Sequence, residues 1–324
     1  MAELRFNPLT KDWVMIASHR QARPNMPKGW CPFCPGSGKV PDVFEVHQYD
    51  NDFPTLSPTP PQPDPVETDF FKVAPSYGKC EVILYSSQHT VTLPELSDAH
   101  MGKLMDLWCQ RFEALSQDEK IKYVFIFENR GEVVGVTMPH PHGQIYGYPF
   151  LPKKLELEVQ SAKEHFEQEG TCLFCDILAQ ELKEKDRIIF KNEFFTVYLP
   201  FYAEYPYGVY IMANNHKQTL LDFTKEERQA LAVTIRDTVG MLDSLFDTAF
   251  PYMMCMHNAP VNLGDFSQDF HFHIEFFPPL RTKTVQKFNA SSETGAWAFC
   301  NPTCPEERAQ ELREAYQRFM EKQG

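Results

Sequence analysis

The sequence of 324 residues has no excess of basic residues, no long hydrophobic run and no glycine-rich nucleotide-binding loop. Lys and Arg number 31 against 44 Asp and Glu, so the formal net charge is −13. A surface this acidic repels a polyphosphate backbone, and we therefore expect no nucleic-acid partner. Apolar runs such as residues 123–127 are far shorter than the ~18 residues of a membrane span, so we expect no membrane partner either.

The cysteines do not indicate disulfides. The chain starts Met-Ala-Glu-Leu-Arg, with no apolar segment after a basic one, so we predict no signal peptide and a cytoplasmic protein with reduced cysteines. Four of the nine cysteines form two closely spaced pairs, Cys31-Pro-Phe-Cys34 and Cys172-Leu-Phe-Cys175. This spacing allows two thiolates to bind one tetrahedral metal ion.

The order of motifs along the chain indicates a duplication. The length suggests about two domains. Each half contains a cysteine pair, an apolar strand that ends in a turn and a lone histidine, a helix N-cap, a second strand and a histidine doublet. The doublets are His140-Pro-His142 and His271-Phe-His273. We therefore predict two similar halves, residues 1–150 and 151–324.

Local patterns predict the fold class. Ser97 and Thr224 are N-cap residues of amphipathic helices that run towards residues 115 and 245. Further helices are predicted over residues 153–168 and from Pro305 to near residue 322, and the proline-rich residues 55–65 are predicted as a loop. Strands grouped with long helices indicate an α+β fold, with a mainly antiparallel sheet and flanking helices, rather than a parallel doubly wound sheet.

Two sets of four metal ligands recur in the same order in the two halves. Each set has two cysteines and two histidines, which are the ligands of structural zinc. The alternative, buried cysteines and histidines of an ordinary core, leaves the repetition unexplained. Four protein ligands leave no open coordination position, so we predict two structural zinc ions per chain. The sets are Cys31, Cys34, His89 and His140 in the first half, and Cys172, Cys175, His216 and His271 in the second.

His142 is the candidate catalytic nucleophile. Alternation along a strand places it on the same face as His140, beside the predicted metal. Imidazole is a competent nucleophile or base near neutral pH. Gly143 allows a ligand to approach the backbone closely, and the Gln144 amide can donate to a phosphoryl oxygen. The alternative, a histidine without a role, is disfavoured by this combination of neighbours.

The motif His140-Pro-His142-Gly-Gln144 resembles the active-site motif of the galactose-1-phosphate uridylyltransferases, a family of the histidine-triad superfamily. The resemblance covers nearly the whole chain and includes residues 6–14, 30–36, 51–54 and 284–288. It implies two histidine-triad-like halves and a homodimer. It also implies that His142 attacks the α-phosphorus of UDP-glucose and passes UMP, through a uridylyl-histidine, to galactose 1-phosphate or a similar hexose 1-phosphate.

The resemblance also assigns ligand contacts. Gln144 stands where histidine-triad hydrolases have a third histidine, and a transferase needs no strong acid there because its leaving group is already a stable phosphate. Uridine contacts carry over to Asn51 and Asp52. Phosphate contacts carry over to Arg20, Arg23, Asn129, Gly135, Thr137 and Gln144, and hexose contacts from the partner subunit carry over to Lys287, Phe288 and Glu293.

Departures from the family pattern concern sugar selectivity and the second metal. Ser292 replaces a tyrosine near the hexose segment, so sugar selectivity stays open. Some family members hold a second metal on a glutamate and three histidines. Glu158, His257 and His273 match three of these ligands, but Glu275 replaces the last histidine, so this set competes with the second Cys2His2 set.

Alternative functions remain at this point. The duplicated Cys2His2 set resembles relatives that act on ADP-glucose, which makes an ADP-sugar adenylyltransferase or phosphorylase the main alternative. A nucleotide hydrolase, disfavoured by Gln144, and a zinc-dependent binding module are further alternatives.

Overall fold

The computed structural model describes residues 2–22 and 29–323, which form twelve strands and six helices. The strands are β1 (Ala2–Asn7), β2 (Asp12–Ala17), β3 (His47–Asp50), β4 (Val73–Pro75), β5 (Lys79–Leu84), β6 (Tyr123–Arg130), β7 (His142–Tyr148), β8 (Ile188–Lys191), β9 (Phe195–Tyr198), β10 (Tyr210–Ala213), β11 (Tyr252–His257) and β12 (His273–Phe277). The helices are α1 (Asp98–Ser116), α2 (Lys153–Glu169), α3 (Leu173–Glu184), α4 (Lys225–Phe246), α5 (Ser291–Ala296) and α6 (Pro305–Gln323).

Nine of the strands form one antiparallel sheet in the order β3-β5-β7-β6-β11-β12-β10-β9-β8. The central pair joins the two halves, with Cys255 of β11 opposite Phe127 of β6. On either side of this pair the strands follow the same pattern, because β7 and β5 flank β6 as β12 and β10 flank β11. The predicted α+β fold with a mainly antiparallel sheet is confirmed.

The two faces of this sheet have different neighbours. Ile126 of β6, Ile145 of β7 and Met254 of β11 belong to the buried core that also contains residues of α1, α4 and α6. Successive residues of a strand point to opposite faces. His142 and Gln144 of β7 therefore lie on the face away from these three helices, and this face carries the candidate site.

The helix starts follow the predicted capping. The Ser97 hydroxyl accepts a hydrogen bond from the His100 N–H at 3.3 Å, and Thr224 forms a capping box with Glu227. Each cap satisfies backbone N–H groups that the first helical turn leaves without partners. These local contacts fix where α1 and α4 begin.

The structure differs from the sequence prediction at the histidine doublets and agrees with it at the lone histidines. β5 ends at Leu84 and β10 at Ala213, and a short segment outside the sheet leads from each strand to its histidine, in agreement with the predicted turn. The departure of the chain from the sheet at these two points allows each histidine to reach the cysteines of its set. β7 begins at His142 and β12 at His273, so only the second histidine of each doublet lies in a strand.

Helix α3 and the small sheet β2-β1-β4 are absent from the sequence prediction. Cys172 is the N-cap residue of α3, and Phe174 and Leu178 are buried apolar residues of this helix one turn apart. A short amphipathic helix therefore begins within the cysteine motif, and the motif itself does not indicate it. None of the helices in the described parts of the chain is both long enough and apolar enough to cross a membrane.

Candidate active site

His142 is the first residue of β7, and the backbone of the preceding histidine in its doublet fixes the orientation of its imidazole ring. Its Nδ1 atom lies 2.7 Å from the backbone carbonyl oxygen of His140. A proton on Nδ1 that is donated to this carbonyl leaves the lone pair of the neutral ring on Nε2, as a nucleophile requires. The adjacent Gly143 packs against the Tyr85 hydroxyl and the Phe127 carbonyl, with no room there for a side chain.

Two cavities meet at His142. The first has a volume of about 390 Å³, and the second about 270 Å³. Gln144 lines the first, and Asn129 lines the second. The imidazole therefore lies between two spaces, each of which can hold part of a ligand. The first cavity is lined by Trp30, Pro32, Phe33, Lys39, Tyr49, Asn51, Asp52, Phe53, Val82, Met138, His142 and Gln144.

The first cavity combines aromatic walls with one carboxylate. The Phe33 ring centroid lies 5.4 Å from that of His142, and Trp30 is half exposed at the mouth. The Asp52 carboxylate accepts hydrogen bonds from Lys39 at 3.2 Å and from Tyr49 at 2.8 Å. The bond to Asp52 raises the pKa of Lys39. An aromatic cavity with few polar groups is typical of a small-molecule site.

The sequence predicted only Asn51, Asp52, His142 and Gln144 among the twelve lining residues and missed the other eight. Phe33 lies between the two cysteines of the first pair, so its place in that motif was an available signal. Lys39 and Tyr49 belong to no motif, and only the fold brings them to Asp52. Trp30 precedes the same cysteine pair.

The predicted uridine and phosphate residues fall into distinct positions. Asn51 lines the first cavity, and its side-chain oxygen accepts from the Phe53 N–H at 2.9 Å. Arg20 donates a hydrogen bond to the Phe53 carbonyl at 2.9 Å. It therefore contacts the loop that contains Asn51, but it does not line the first cavity. Arg23 lies outside the described residues.

The remaining phosphate candidates lie on the second cavity or near it. Asn129 of β6 lines this cavity, as do Met138 and Pro139 of the loop that leads to His140. In the same loop, Gly135 has φ +83°, a left-handed conformation that favours glycine. The Thr137 hydroxyl oxygen is buried and has no hydrogen-bond partner among the described residues, so it can serve a bound oxyanion.

The predicted hexose residues lie apart from these cavities. Lys287 donates to the Glu293 carboxylate at 2.9 Å, and this bond lowers the pKa of Glu293 to about 2. Phe288 is 72% exposed. None of these three described residues lines either cavity at His142.

The first predicted zinc set is assembled beside His142. Cys34 Sγ lies 3.3 Å from His89 Nδ1 and 3.6 Å from His140 Nδ1. Ligands of a tetrahedral zinc ion at ~2.0–2.3 Å are separated by roughly 3.3–3.8 Å, so the set fits zinc. His140 Nε2 lies 2.7 Å from the Ser86 carbonyl oxygen, which leaves Nδ1 for the metal. Burial lowers the pKa of His140 and favours the neutral ligand form.

The second predicted set is assembled in the same way. Cys175 Sγ lies 3.4 Å from His216 Nδ1 and 3.3 Å from His271 Nδ1. With Cys172, the four ligand atoms lie within 4.8 Å of one another. Burial lowers the pKa of His271 and again favours the neutral ring. Two thiols and two imidazoles at these distances fit a zinc ion.

A third group contains Glu158, His257, His273 and Glu275, whose ligand atoms also lie within 4.8 Å of one another. It is separate from the second Cys2His2 set, so the two sets do not compete for one position. It fits a metal less well. Lys154 donates to the Glu275 carboxylate, and His257 Nδ1 lies 2.8 Å from Glu158 Oε2. Three of the four possible ligands, Glu275, His257 and Glu158, are therefore already engaged by protein groups.

Comparison with known proteins identifies the chain as a nucleotidyltransferase. The chain belongs to the galactose-1-phosphate uridyl transferase family: the family model of the N-terminal domain matches residues 1–152, and that of the C-terminal domain matches residues 158–318. A galactose-1-phosphate uridylyltransferase of Thermotoga maritima is 43% identical over 315 residues, which cover 97% of this chain and 98% of the relative. The predicted family and enzyme class are confirmed.

Solved structures agree with this assignment. A structure described as a uridylyltransferase superimposes with a TM-score of 0.90 at 32% identity and covers 98% of this chain and 99% of its own. An ADP-glucose phosphorylase from Arabidopsis thaliana superimposes with a TM-score of 0.74 at 23% identity, covering 97% of this chain and 99% of its own. The second match shows a similar fold alone.

Proposed function

We propose that this protein transfers UMP from UDP-glucose to galactose 1-phosphate, or to a similar hexose 1-phosphate, through a covalent uridylyl-histidine at His142. The observation that carries the proposal is the position of His142 between two cavities, with Nδ1 held by the His140 carbonyl. A double displacement needs this arrangement, because one histidine must reach the nucleotide and each of two sugar phosphates in turn.

Each half-reaction exchanges one phosphorus bond for another. Nε2 of His142 attacks the α-phosphorus of UDP-glucose, a P–N bond forms, and the bond to the bridging oxygen breaks with release of glucose 1-phosphate. A phosphate oxygen of galactose 1-phosphate then attacks the same phosphorus, and the P–N electron pair returns to His142. The leaving group in the first step is a stable phosphate, so no strong acid is required.

Gln144 orients the phosphoryl group. Its side-chain oxygen accepts from the Tyr146 hydroxyl at 3.1 Å, which directs the amide N–H groups away from Tyr146. Gln144 follows His142 by two positions on β7 and so shares its face. Donors on this face stabilise charge that develops on the non-bridging oxygens during transfer.

Nucleotide and phosphate contacts follow from the cavity walls. Asn51 and Asp52 bind the uridine in the first cavity, where Phe33 covers the base. Phosphate oxygens are bound by Asn129, Thr137 and Gly135, with Arg20 and Arg23 completing the set. Lys287, Phe288 and Glu293 contact the hexose of the neighbouring subunit in a cytoplasmic homodimer, which accounts for their distance from His142 in their own chain.

Both Cys2His2 sets hold structural zinc. A closed zinc site supplies folding energy and a fixed positive charge but no open position for a substrate. Residues 1–150 and 151–324 are the two units that these ions stabilise. No step of the proposed transfer passes through a metal.

The main alternative is an ADP-sugar substrate. Two complete Cys2His2 sets, the feature by which the chain resembles relatives that act on ADP-glucose, favour it. Asp52 favours uridine, because its carboxylate and the Asn51 amide suit the uracil edge and ribose hydroxyls, whereas adenine presents a larger ring and different donors.

Sugar-phosphate exchange tests the proposal. We expect wild-type protein to move label from radiolabelled glucose 1-phosphate into UDP-glucose but not into ADP-glucose, without a third reagent. His142→Gly should abolish exchange and the acid-labile, protein-bound uridylyl label, and added imidazole should restore one half-reaction. The matched control is His165→Gly, which removes a partly exposed histidine that bonds to Asp176.

Steady release of UMP that is faster than exchange would indicate a hydrolase. Exchange with ADP-glucose alone would contradict the uridylyl assignment, and exchange that survives His142→Gly would contradict the nucleophile.

A further inference from the structure

The group of Glu158, His257, His273 and Glu275 occupies the position in the second half that the His142 cavity occupies in the first half. His273 Nδ1 lies 3.0 Å from the His271 carbonyl oxygen, as His142 Nδ1 does from that of His140. Phe174 packs on His273 with ring centroids 5.0 Å apart, in the manner of Phe33 on His142. The second half therefore keeps the form of the nucleophile site.

The chemistry of this second place has changed. Glu275 stands two residues after His273, where Gln144 follows His142, and α2 adds Glu158. Two carboxylates thus face each other across His257 and His273, which lie 3.7 Å from Glu275 and do not hydrogen-bond to it at that distance. His257 Nδ1 lies 2.8 Å from Glu158, but neither histidine hydrogen-bonds to Glu275, whose side chain is only 3% exposed. A buried carboxylate without a counter-ion is costly, so Glu275 requires a cation.

Lys154 supplies that cation. Its ammonium donates to Glu275, lies 3.9 Å from Glu158, and stands 4.7 Å above the Phe277 ring. The Glu275 side chain is only 3% exposed, whereas that of Lys154 is 48% exposed, so Lys154 reaches the group from the mouth of its cavity. This cavity has a volume of about 360 Å³ and is open to solvent.

We infer that Lys154 is the built-in counter-ion of the group formed by Glu158, His257, His273 and Glu275, and that it excludes a divalent metal from this group. With Lys154 in place, two carboxylates face one ammonium, and an added divalent ion would leave an excess of positive charge in a nearly buried site. Without Lys154, the two negative charges of the carboxylates would balance the two positive charges of a divalent ion. The Lys154 ammonium and a metal ion would also bind the same oxygen atom of Glu275.

Manganese binding tests this inference, because Mn²⁺ prefers carboxylate and imidazole ligands to the thiolates of the Cys2His2 sets. Binding is measured from the loss of the electron paramagnetic resonance signal of free Mn²⁺. We expect Lys154→Met to bind one Mn²⁺ per chain with at least about tenfold higher affinity than wild type, since one nearby positive charge is removed. Lys153→Met is the matched control, because Lys153 pairs with the exposed Glu156 instead.

A second substitution locates the gained site. His257→Gln in the Lys154→Met background should abolish the additional Mn²⁺ binding. Mn²⁺ should also raise the melting temperature of Lys154→Met and leave that of wild type unchanged, as expected for a ligand that binds only one of the two folded proteins. Lys154→Gln makes the same charge change and replaces Lys154→Met if the latter does not fold.

Two results would overturn the inference. Wild-type protein that binds Mn²⁺ as tightly as Lys154→Met would show that the lysine excludes nothing. A folded Lys154→Met protein without increased Mn²⁺ affinity would show that the group is not a cation site. Neither measurement depends on transferase activity, so the result is independent of the function proposed above.

Discussion

A buried carboxyl group behind the candidate active site makes the stability of the protein depend on pH. Glu128 of β6 is 6% exposed and precedes Asn129 at the second cavity. It accepts hydrogen bonds from the hydroxyls of Tyr85 at 3.1 Å and Tyr252 at 3.0 Å, which belong to different halves. Burial raises the pKa of Glu128 to about 7, although Arg130 opposes this effect.

The sign of the effect follows from proton binding. Below the ordinary value of 4.5, Glu128 is protonated in both the folded and the unfolded chain. As pH rises from there towards about 7, the unfolded chain loses this proton first and the folded chain keeps it. The free energy of unfolding therefore falls across this interval and is lowest above it.

Glu128→Gln removes this titration. At about 1.4 kcal/mol per pKa unit, the difference between 4.5 and about 7 corresponds to about 3 kcal/mol. This value already includes the hydrogen bonds from Tyr85 and Tyr252, which lower the pKa of Glu128, and part of the change occurs below about pH 5 because the ordinary pKa is 4.5. We expect the variant to gain about 2–3 kcal/mol relative to wild type between about pH 5 and about pH 8.

Urea unfolding at several pH values measures this change, and the exposed Glu132→Gln is the matched control. The quantity compared is the pH dependence of the free energy of unfolding, which is insensitive to constant differences between variants. A Glu128→Gln protein whose stability follows the same pH curve as wild type would refute the reasoning, because Glu128 would then titrate alike in both states.

Two further substitutions test the zinc and nucleotide proposals. Cys34→Ser should reduce the zinc content from about two ions to about one per chain and lower the melting temperature, whereas the exposed Cys304→Ser should change neither; unchanged zinc content in Cys34→Ser would contradict the first set. Asp52→Ala should reduce the ratio of kcat/KM for UDP-glucose over ADP-glucose about tenfold, because Lys39 and Tyr49 lose their carboxylate and a nucleotide contact disappears; an unchanged ratio would exclude Asp52 from nucleotide selection.

Short-range sequence patterns determined much of this protein. The starts of α1 and α4 depend on hydroxyl groups that bond N–H groups three residues away, so Ser97 and Thr224 identify them without any knowledge of the fold. All four helices that were predicted from the sequence lie outside the cysteine motifs and were recognised from local sequence patterns. The repeated order of cysteines and histidines also predicted which residues form each Cys2His2 set, because two duplicated units have their ligands in the same order.

Tertiary structure alone decided how these units become a site. Lys154 and Glu275 are 121 residues apart, and the contact between Lys39 and Asp52 joins a loop to the segment after β3 without any motif. The fold alone shows that Glu158 of α2 belongs to a ligand group separate from the second Cys2His2 set. These contacts depend on how α2 packs beside β12 and on how the loop before β3 folds back on the segment after it, and the spacing of residues along one chain segment encodes neither arrangement.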